Sequence, residues 1–257
     1  MCTVTIQFES EVLKGRTKVN VVMPSINYDT KLKTLYLLHG GDGSADDWLN
    51  CSQAHSIASE HGFAVIMPEV GGESFYCDMH EGADYFTYID TELMDKMQMM
   101  FPLSDNREDR FVAGLSMGGY GAVTWGLRRP DKFAAIGNFS GASDIVKLFA
   151  TPGGPFTKEQ LDEKVMRIWG GIDKLRGSEY DTIHMLAQVG KNPSMYPDIF
   201  AGVGTDDFVY GAVRDYVDAA GRYGVNVRYE EMPGGHEWKV WNEMLKRFVN
   251  YYMLRKQ

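Results

Sequence analysis

The chain has 257 residues, 44% hydrophobic and 24% charged, enough apolar material for one large α/β core. A formal net charge of -9 repels phosphate backbones and anionic lipid, so nucleic acid and membrane surfaces are excluded as expected partners. The three cysteines, Cys2, Cys51 and Cys77, form no CxxC pair, which argues against a disulfide framework or a zinc site and for reduced thiols.

The N-terminus, Met1 to Ile6, has no basic segment followed by an apolar one, so no signal peptide is read there and a cytoplasmic location is expected. Alternation over Thr3 to Phe8 predicts a strand, and Lys18 to Met23 a second one ended by Pro24. With no helix between them, the two can pair as an antiparallel hairpin at a sheet edge. Thr34 to Leu38 is a buried-type strand feeding His39-Gly40-Gly41. Ser52 to His61 has helical spacing and stops at Gly62, a residue suited to a left-handed cap. Ala64 to Met67 is another buried-type strand, closed by Pro68. Tyr88 to Phe101 is a helix stopped by Pro102, with Met97, Met99 and Met100 expected in the core.

Phe111 to Ala113 reads as a strand, Gly118 to Arg129 as a helix and Ala134 to Asn138 as a strand. After a long interval come a strand at Asp198 to Val203, a helix at Gly211 to Tyr223, a last strand at Val225 to Met232 and a terminal helix at Glu237 to Leu254. Strand–helix alternation with apolar strands predicts a mostly parallel sheet covered by helices on both faces, in a single domain over residues 1–257. The interval at about 141–197 is too long for a simple loop. It is either a helical insertion over the carboxyl edge of the sheet, a candidate lid, or a crossover with two helices. It contains Thr151-Pro152-Gly153-Gly154-Pro155 and Trp169.

Chemistry enters at Gly114-Leu115-Ser116-Met117-Gly118, a G-x-S-x-G between a predicted strand and a predicted helix. That setting exposes a serine on a sharp turn at a helix N-terminus, where the dipole favours developing negative charge. Serine needs a base. Of six histidines, His236 follows Pro233-Gly234-Gly235 directly after the last strand and lies last in the chain, as the order of a Ser-acid-His set requires. The acid is expected in Gly204-Thr205-Asp206-Asp207-Phe208; spacing alone does not choose between the two aspartates, and the other is expected to cap the next turn or helix. Backbone N–H groups of Gly41 and Met117 are the expected oxyanion donors, with His39 structural. Trp48, Phe75 and Tyr76 line the substrate pocket or belong to the core; base rates favour neither. Asp42, Asp46 and Asp47 lack a calcium-loop pattern, and Gly71-Gly72 and Gly153-Gly154 are not phosphate loops. No metal or organic cofactor is expected.

The sequence resembles the putative-esterase family of α/β-hydrolases, which takes in tributyrin, feruloyl and acetyl xylan esterases and S-formylglutathione hydrolases. The resemblance is carried, in family order, by Leu37-Leu38-His39-Gly40-Gly41 with Trp48, by Ser74-Phe75-Tyr76, and by Tyr88 to Leu93. It continues through Gly114 to Ala122 and Gly204 to Phe208 to Pro233-Gly234-Gly235-His236-Glu237-Trp238. It implies the α/β-hydrolase fold and a Ser116, Asp207, His236 triad, since the second acidic position serves the triad in that family. It is nearest to the tributyrin-esterase type. Leu115 and Tyr120 stand where formylglutathione hydrolases tend to carry histidine. The expected activity is hydrolysis of short-chain acyl esters, a small-molecule substrate. Feruloyl or acetyl esters of plant-wall oligosaccharides, or acyl transfer on the same triad, are the alternatives, and a homo-oligomer is left open.

Overall fold

The computed structural model describes residues 1–24, 30–141, 143–150 and 157–254. In chain order the strands and helices are β1 (Cys2–Ser10), β2 (Gly15–Met23), β3 (Thr34–Leu38), α1 (Asp47–Cys51), α2 (Ala54–His61), β4 (Ala64–Pro68), α3 (Tyr85–Thr87), α4 (Met94–Met100), β5 (Arg110–Leu115), α5 (Met117–Arg128) and β6 (Ala135–Phe139). The insertion follows as α6 (Ile145–Ala150), α7 (Lys158–Trp169), α8 (Ile172–Leu175) and α9 (Thr182–Val189), and the chain closes with β7 (Asp198–Gly204), α10 (Tyr210–Arg222), β8 (Val227–Met232) and α11 (Trp238–Phe248).

The strands form one eight-stranded sheet in the order β1-β2-β4-β3-β5-β6-β7-β8. The predicted hairpin lies at one edge, paired from Cys2 opposite Met23 to Ser10 opposite Gly15. β2 also runs antiparallel to β4, and every later pairing is parallel. β3, β4, β5 and β6 are buried at every position. Their side chains alternate between two cores, as the two-residue period requires. Tyr36, Leu38, Val112 and Ile136 pack under α4, α5, α9 and α10. Leu35, Leu37, Phe111 and Ala113 pack under α1, α2 and α11. α11 shows why it docks: Val240, Trp241, Met244, Leu245 and Phe248 form a buried stripe opposite Lys239, Glu243 and Lys246.

Three expectations change. Tyr85 to Met100 is helical, but Tyr88–Leu93 is a wider π-type turn between α3 and α4. Its Asp90 is buried and accepts hydrogen bonds from Trp125 Nε1 (2.9 Å), Lys132 Nζ (2.7 Å) and the Arg129 guanidinium. Of the three methionines, Met97 is in the core with Met94 one turn before it, while Met99 and Met100 are exposed. Among the described residues the insertion holds four α-helices, where the crossover reading expected two. α9 packs on α5 and α10 as the crossover helix from β6 to β7. α6, α7 and α8 instead bury Ile145, Phe149, Leu161, Val165, Trp169 and Leu175 against Cys77 and Tyr120. Glu73 fastens α7 through Lys164 Nζ (2.6 Å) and Arg167. The predicted stretch Thr151 to Pro155 lies outside the described residues. Among the described residues, no helix is long and apolar enough to cross a membrane.

Removing Asp90 leaves two cations without their shared carboxylate and the Trp125 N–H without its acceptor. Asp90→Ala is expected to cost about 3 kcal/mol or more of unfolding free energy, read as a lower urea midpoint at unchanged slope.

Candidate active site

β5 ends in a turn that no ordinary residue adopts easily. Ser116 sits at φ 52° and ψ -120°, between Leu115 and the first residue of α5. Such a conformation stores roughly 1–3 kcal/mol and persists only where the surroundings over-determine it. Here they do: the Ser116 N–H donates to the Phe139 carbonyl (2.9 Å), and the Ser116 carbonyl accepts from Gly119 (3.0 Å) and Tyr120 (3.2 Å). The flanking glycines are required by space. A Cβ on Gly114 would meet the Gly118 carbonyl oxygen at 2.3 Å, and one on Gly118 would meet that of Leu38 at 2.2 Å. The turn leaves the Ser116 side chain accessible at the carboxyl edge of the sheet.

Asp207 and His236 reach the same edge from the loops after β7 and β8. The two loops are laced together: Thr205 N–H donates to Met232 (2.9 Å) and Asp206 N–H to Gly234 (2.9 Å). His236 Nδ1 lies 3.0 Å from each carboxylate oxygen of Asp207. Ser116 Oγ lies 2.9 Å from His236 Nε2, with geometry for the hydroxyl to donate to an imidazole that donates in turn to the carboxylate. The Asp207 side chain is completely buried. Burial alone would raise its carboxyl, but hydrogen bonds from His236 and the Val209 N–H outweigh it and hold Asp207 below the usual carboxylate range. Asp206 is exposed and contributes its backbone rather than a cap; the side chain that closes the next turn is Asp207, through Val209 (3.0 Å).

The loop after β3 is held by its own carbonyls. Trp48 Nε1 donates to Leu38 (2.9 Å), Tyr76 Oη to His39 (3.0 Å) and His39 Nδ1 to Gly40 (2.8 Å). Burial holds His39 below the usual imidazole range, so it stays neutral, with Nε2 accepting from the Val70 N–H (3.3 Å). Across a trans peptide the N–H points opposite the C=O, so pinning the Gly40 carbonyl also aims the Gly41 N–H. The backbone N–H groups of Gly41 and Met117 have no acceptor among the described residues.

Trp48 and Tyr76 are therefore corrected as pocket residues. They are 1% and 0% exposed and spend their polar atoms on the loop. Phe75 is half-buried and packs with Tyr120 (5.7 Å between ring centroids), Phe149 (5.4 Å) and Trp169 (5.5 Å). Sequence reasoning missed those three partners and also Phe208 and Trp241, whose rings flank His236 at 4.5 and 5.0 Å. Phe208 adjoins the predicted acid, which was a usable signal; Trp241 and the insertion aromatics carry none. Of the acidic patch, Asp46 is structural, pairing with Lys18 (2.7 Å) and Asn20 (2.7 Å). Among the described residues, no group of His, Cys, Asp and Glu is arranged to hold a metal ion.

The family model described as "Putative esterase" matches residues 10–252. The chain belongs to that family. An acetyl esterase of Caldicellulosiruptor saccharolyticus is 32% identical over 255 residues, 95% of this chain and 96% of the relative. Substrate-bound FphF, a fluorophosphonate-binding serine hydrolase of Staphylococcus aureus, superposes with a TM-score of 0.87 at 30% identity, covering 99% of each chain. The apoenzyme of FrmB, an S-formylglutathione hydrolase of the same organism, gives 0.83 at 30% identity over 98% of each chain. The esterase thus has the α/β-hydrolase fold expected of it, and it is a carboxylic ester hydrolase.

Because Gly118 abuts backbone rather than a movable side chain, Gly118→Ala in this esterase is expected to lose at least about 2–3 kcal/mol of stability, read by thermal unfolding.

Proposed function

We propose that this esterase hydrolyses short-chain acyl esters through an acyl-enzyme, with Ser116 as nucleophile, His236 as base and Asp207 as the acid that orients it. The supporting observation is the continuous hydrogen-bonded chain from Ser116 Oγ through the imidazole to the buried carboxylate. His236 takes the hydroxyl proton as Oγ attacks the carbonyl carbon. Amides of Gly41 and Met117 receive the oxyanion, each worth roughly 3 kcal/mol of barrier. The proton passes from Nε2 to the leaving oxygen as the ester bond breaks, and a water repeats the sequence to release the acid. Asp207 remains charged throughout and holds the tautomer that presents a free Nε2 lone pair.

The short-acyl preference is supported by the aromatic packing of Phe75, Tyr120, Phe149 and Trp169, which begins one helical turn from Ser116. Similarity to a relative named acetyl esterase supports acetate as the acyl group here. We read the chain as one α/β-hydrolase domain in which α6, α7 and α8 act as the lid. Free thiols at Cys2, Cys51 and Cys77 accord with a reducing, cytoplasmic setting.

Ser116→Ala is expected to abolish p-nitrophenyl acetate turnover, by roughly 10⁴-fold or more, and fluorophosphonate labelling, with unchanged thermal unfolding. Asp207→Asn should lose about 10³–10⁴-fold and Asp206→Asn less than about threefold; the reverse order would reassign the acid. Since Asp207 is held below the usual carboxylate range, it keeps its charge where an ordinary carboxylate begins to lose it. The acid limb of log kcat/KM should therefore have unit slope; a slope of two would mean that Asp207 titrates within it.

A further inference from the structure

Phe208 is the most exposed aromatic side chain among the described residues, at 68%. Its position follows from the turn that buries its neighbour. Asp207 Oδ1 accepts the Val209 N–H (3.0 Å), which folds the chain tightly around residue 208. Asp207 and Val209 then point inward, and Phe208 is turned out over the catalytic edge. Its ring lies 4.5 Å from the imidazole of His236, tilted by 47°. Trp241 meets the imidazole at 5.0 Å in an edge-on contact and is 7% exposed. Trp241 is thus packing, whereas Phe208 offers water an apolar ring.

An exposed phenylalanine gains little from burial, so its value lies in what it meets. The leaving oxygen must come within hydrogen-bond reach of Nε2, about 3 Å, to accept the proton. The Phe208 ring is a direct neighbour of that imidazole, so a group larger than methyl on the oxygen can reach it. Asp206, two residues before Phe208, and Glu237, next to His236, are both exposed, on a chain of net charge -9. An anionic leaving group is repelled there, while a neutral one with an apolar C–H face can lie on the ring.

We infer that Phe208 is the platform for the leaving alcohol, selecting neutral alcohols that present an apolar face, such as a pyranose ring or an aryl group, over small or anionic ones. This rests on the proposed Ser116–His236 chemistry. Phe208 acts only while the alcohol is present. After the ester bond breaks, the same acetyl-Ser116 remains whatever the alcohol was, and the platform has no further part in its hydrolysis.

The experiment compares wild type, Phe208→Ala and Phe208→Trp on three esters of one acyl group: methyl acetate, phenyl acetate and per-acetylated methyl xyloside. Fluorophosphonate labelling is measured in parallel. In Phe208→Ala, kcat/KM for phenyl acetate and the xyloside acetate is expected to fall about 5- to 20-fold, while that for methyl acetate changes less than twofold. The deacylation rate constant, from pre-steady-state bursts, is expected to stay within twofold, and Phe208→Trp should restore at least half of the lost selectivity. Equal falls on all three esters would make Phe208 a support for the imidazole and overturn the inference. So would unchanged selectivity, or a labelled wild-type enzyme that does not favour the larger alcohols over methanol. Absence of labelling in the wild type would overturn the nucleophile assignment itself, and the platform with it.

Discussion

Burial of the central strands on both faces is the constraint from which the other features descend. β3 to β6 have no face for water, so helices must cover both sides, and parallel strands can be joined only by crossovers. Every strand from β3 to β8 runs the same way and releases its chain at one edge. The Ser116 turn, the Gly204–Phe208 loop and the His236 loop are brought together by this direction, and the His39–Gly41 loop joins them there.

That edge is held rigid by backbone pairing more than by side-chain volume. Phe139 and Gly202 carbonyls receive the N–H groups of Ser116 and Ser140, and the loops after β7 and β8 are bonded to each other. Around β3, aromatic residues give their polar atoms to successive loop carbonyls. A strained serine and an oriented amide both need such support, because neither conformation is favoured by its own residue. The burial of Trp48 and Tyr76 is thus in the service of the site, although neither side chain faces it.

Much was legible in the sequence. Strands announced themselves as short apolar runs, and Gly62 and Pro102 marked helix ends. The elbow could be named because glycines at fixed offsets from a serine are a local requirement. His236 could be picked from six histidines because its glycine loop follows the last strand. Boundaries drifted by a residue or two, as at β5 and α5, where the ends depend on pairing with neighbours. The π-type turn at Tyr88–Leu93 was invisible, since its Asp90 is satisfied by Trp125, Arg129 and Lys132 from beyond the next strand.

By itself, the sequence determined what depends on neighbours along the chain: strand and helix type, the hairpin, the glycine-flanked serine, and the order of serine, acid and histidine. The tertiary structure decided what depends on residues far apart. Asp207 meets His236 across 29 positions and His236 meets Ser116 across 120, while Asp206 turns to solvent. It also divided the aromatics between loop support, the insertion and the exposed ring of Phe208. Residue type and spacing specify a side chain's chemistry, but its partners are set by which strand ends the sheet places side by side.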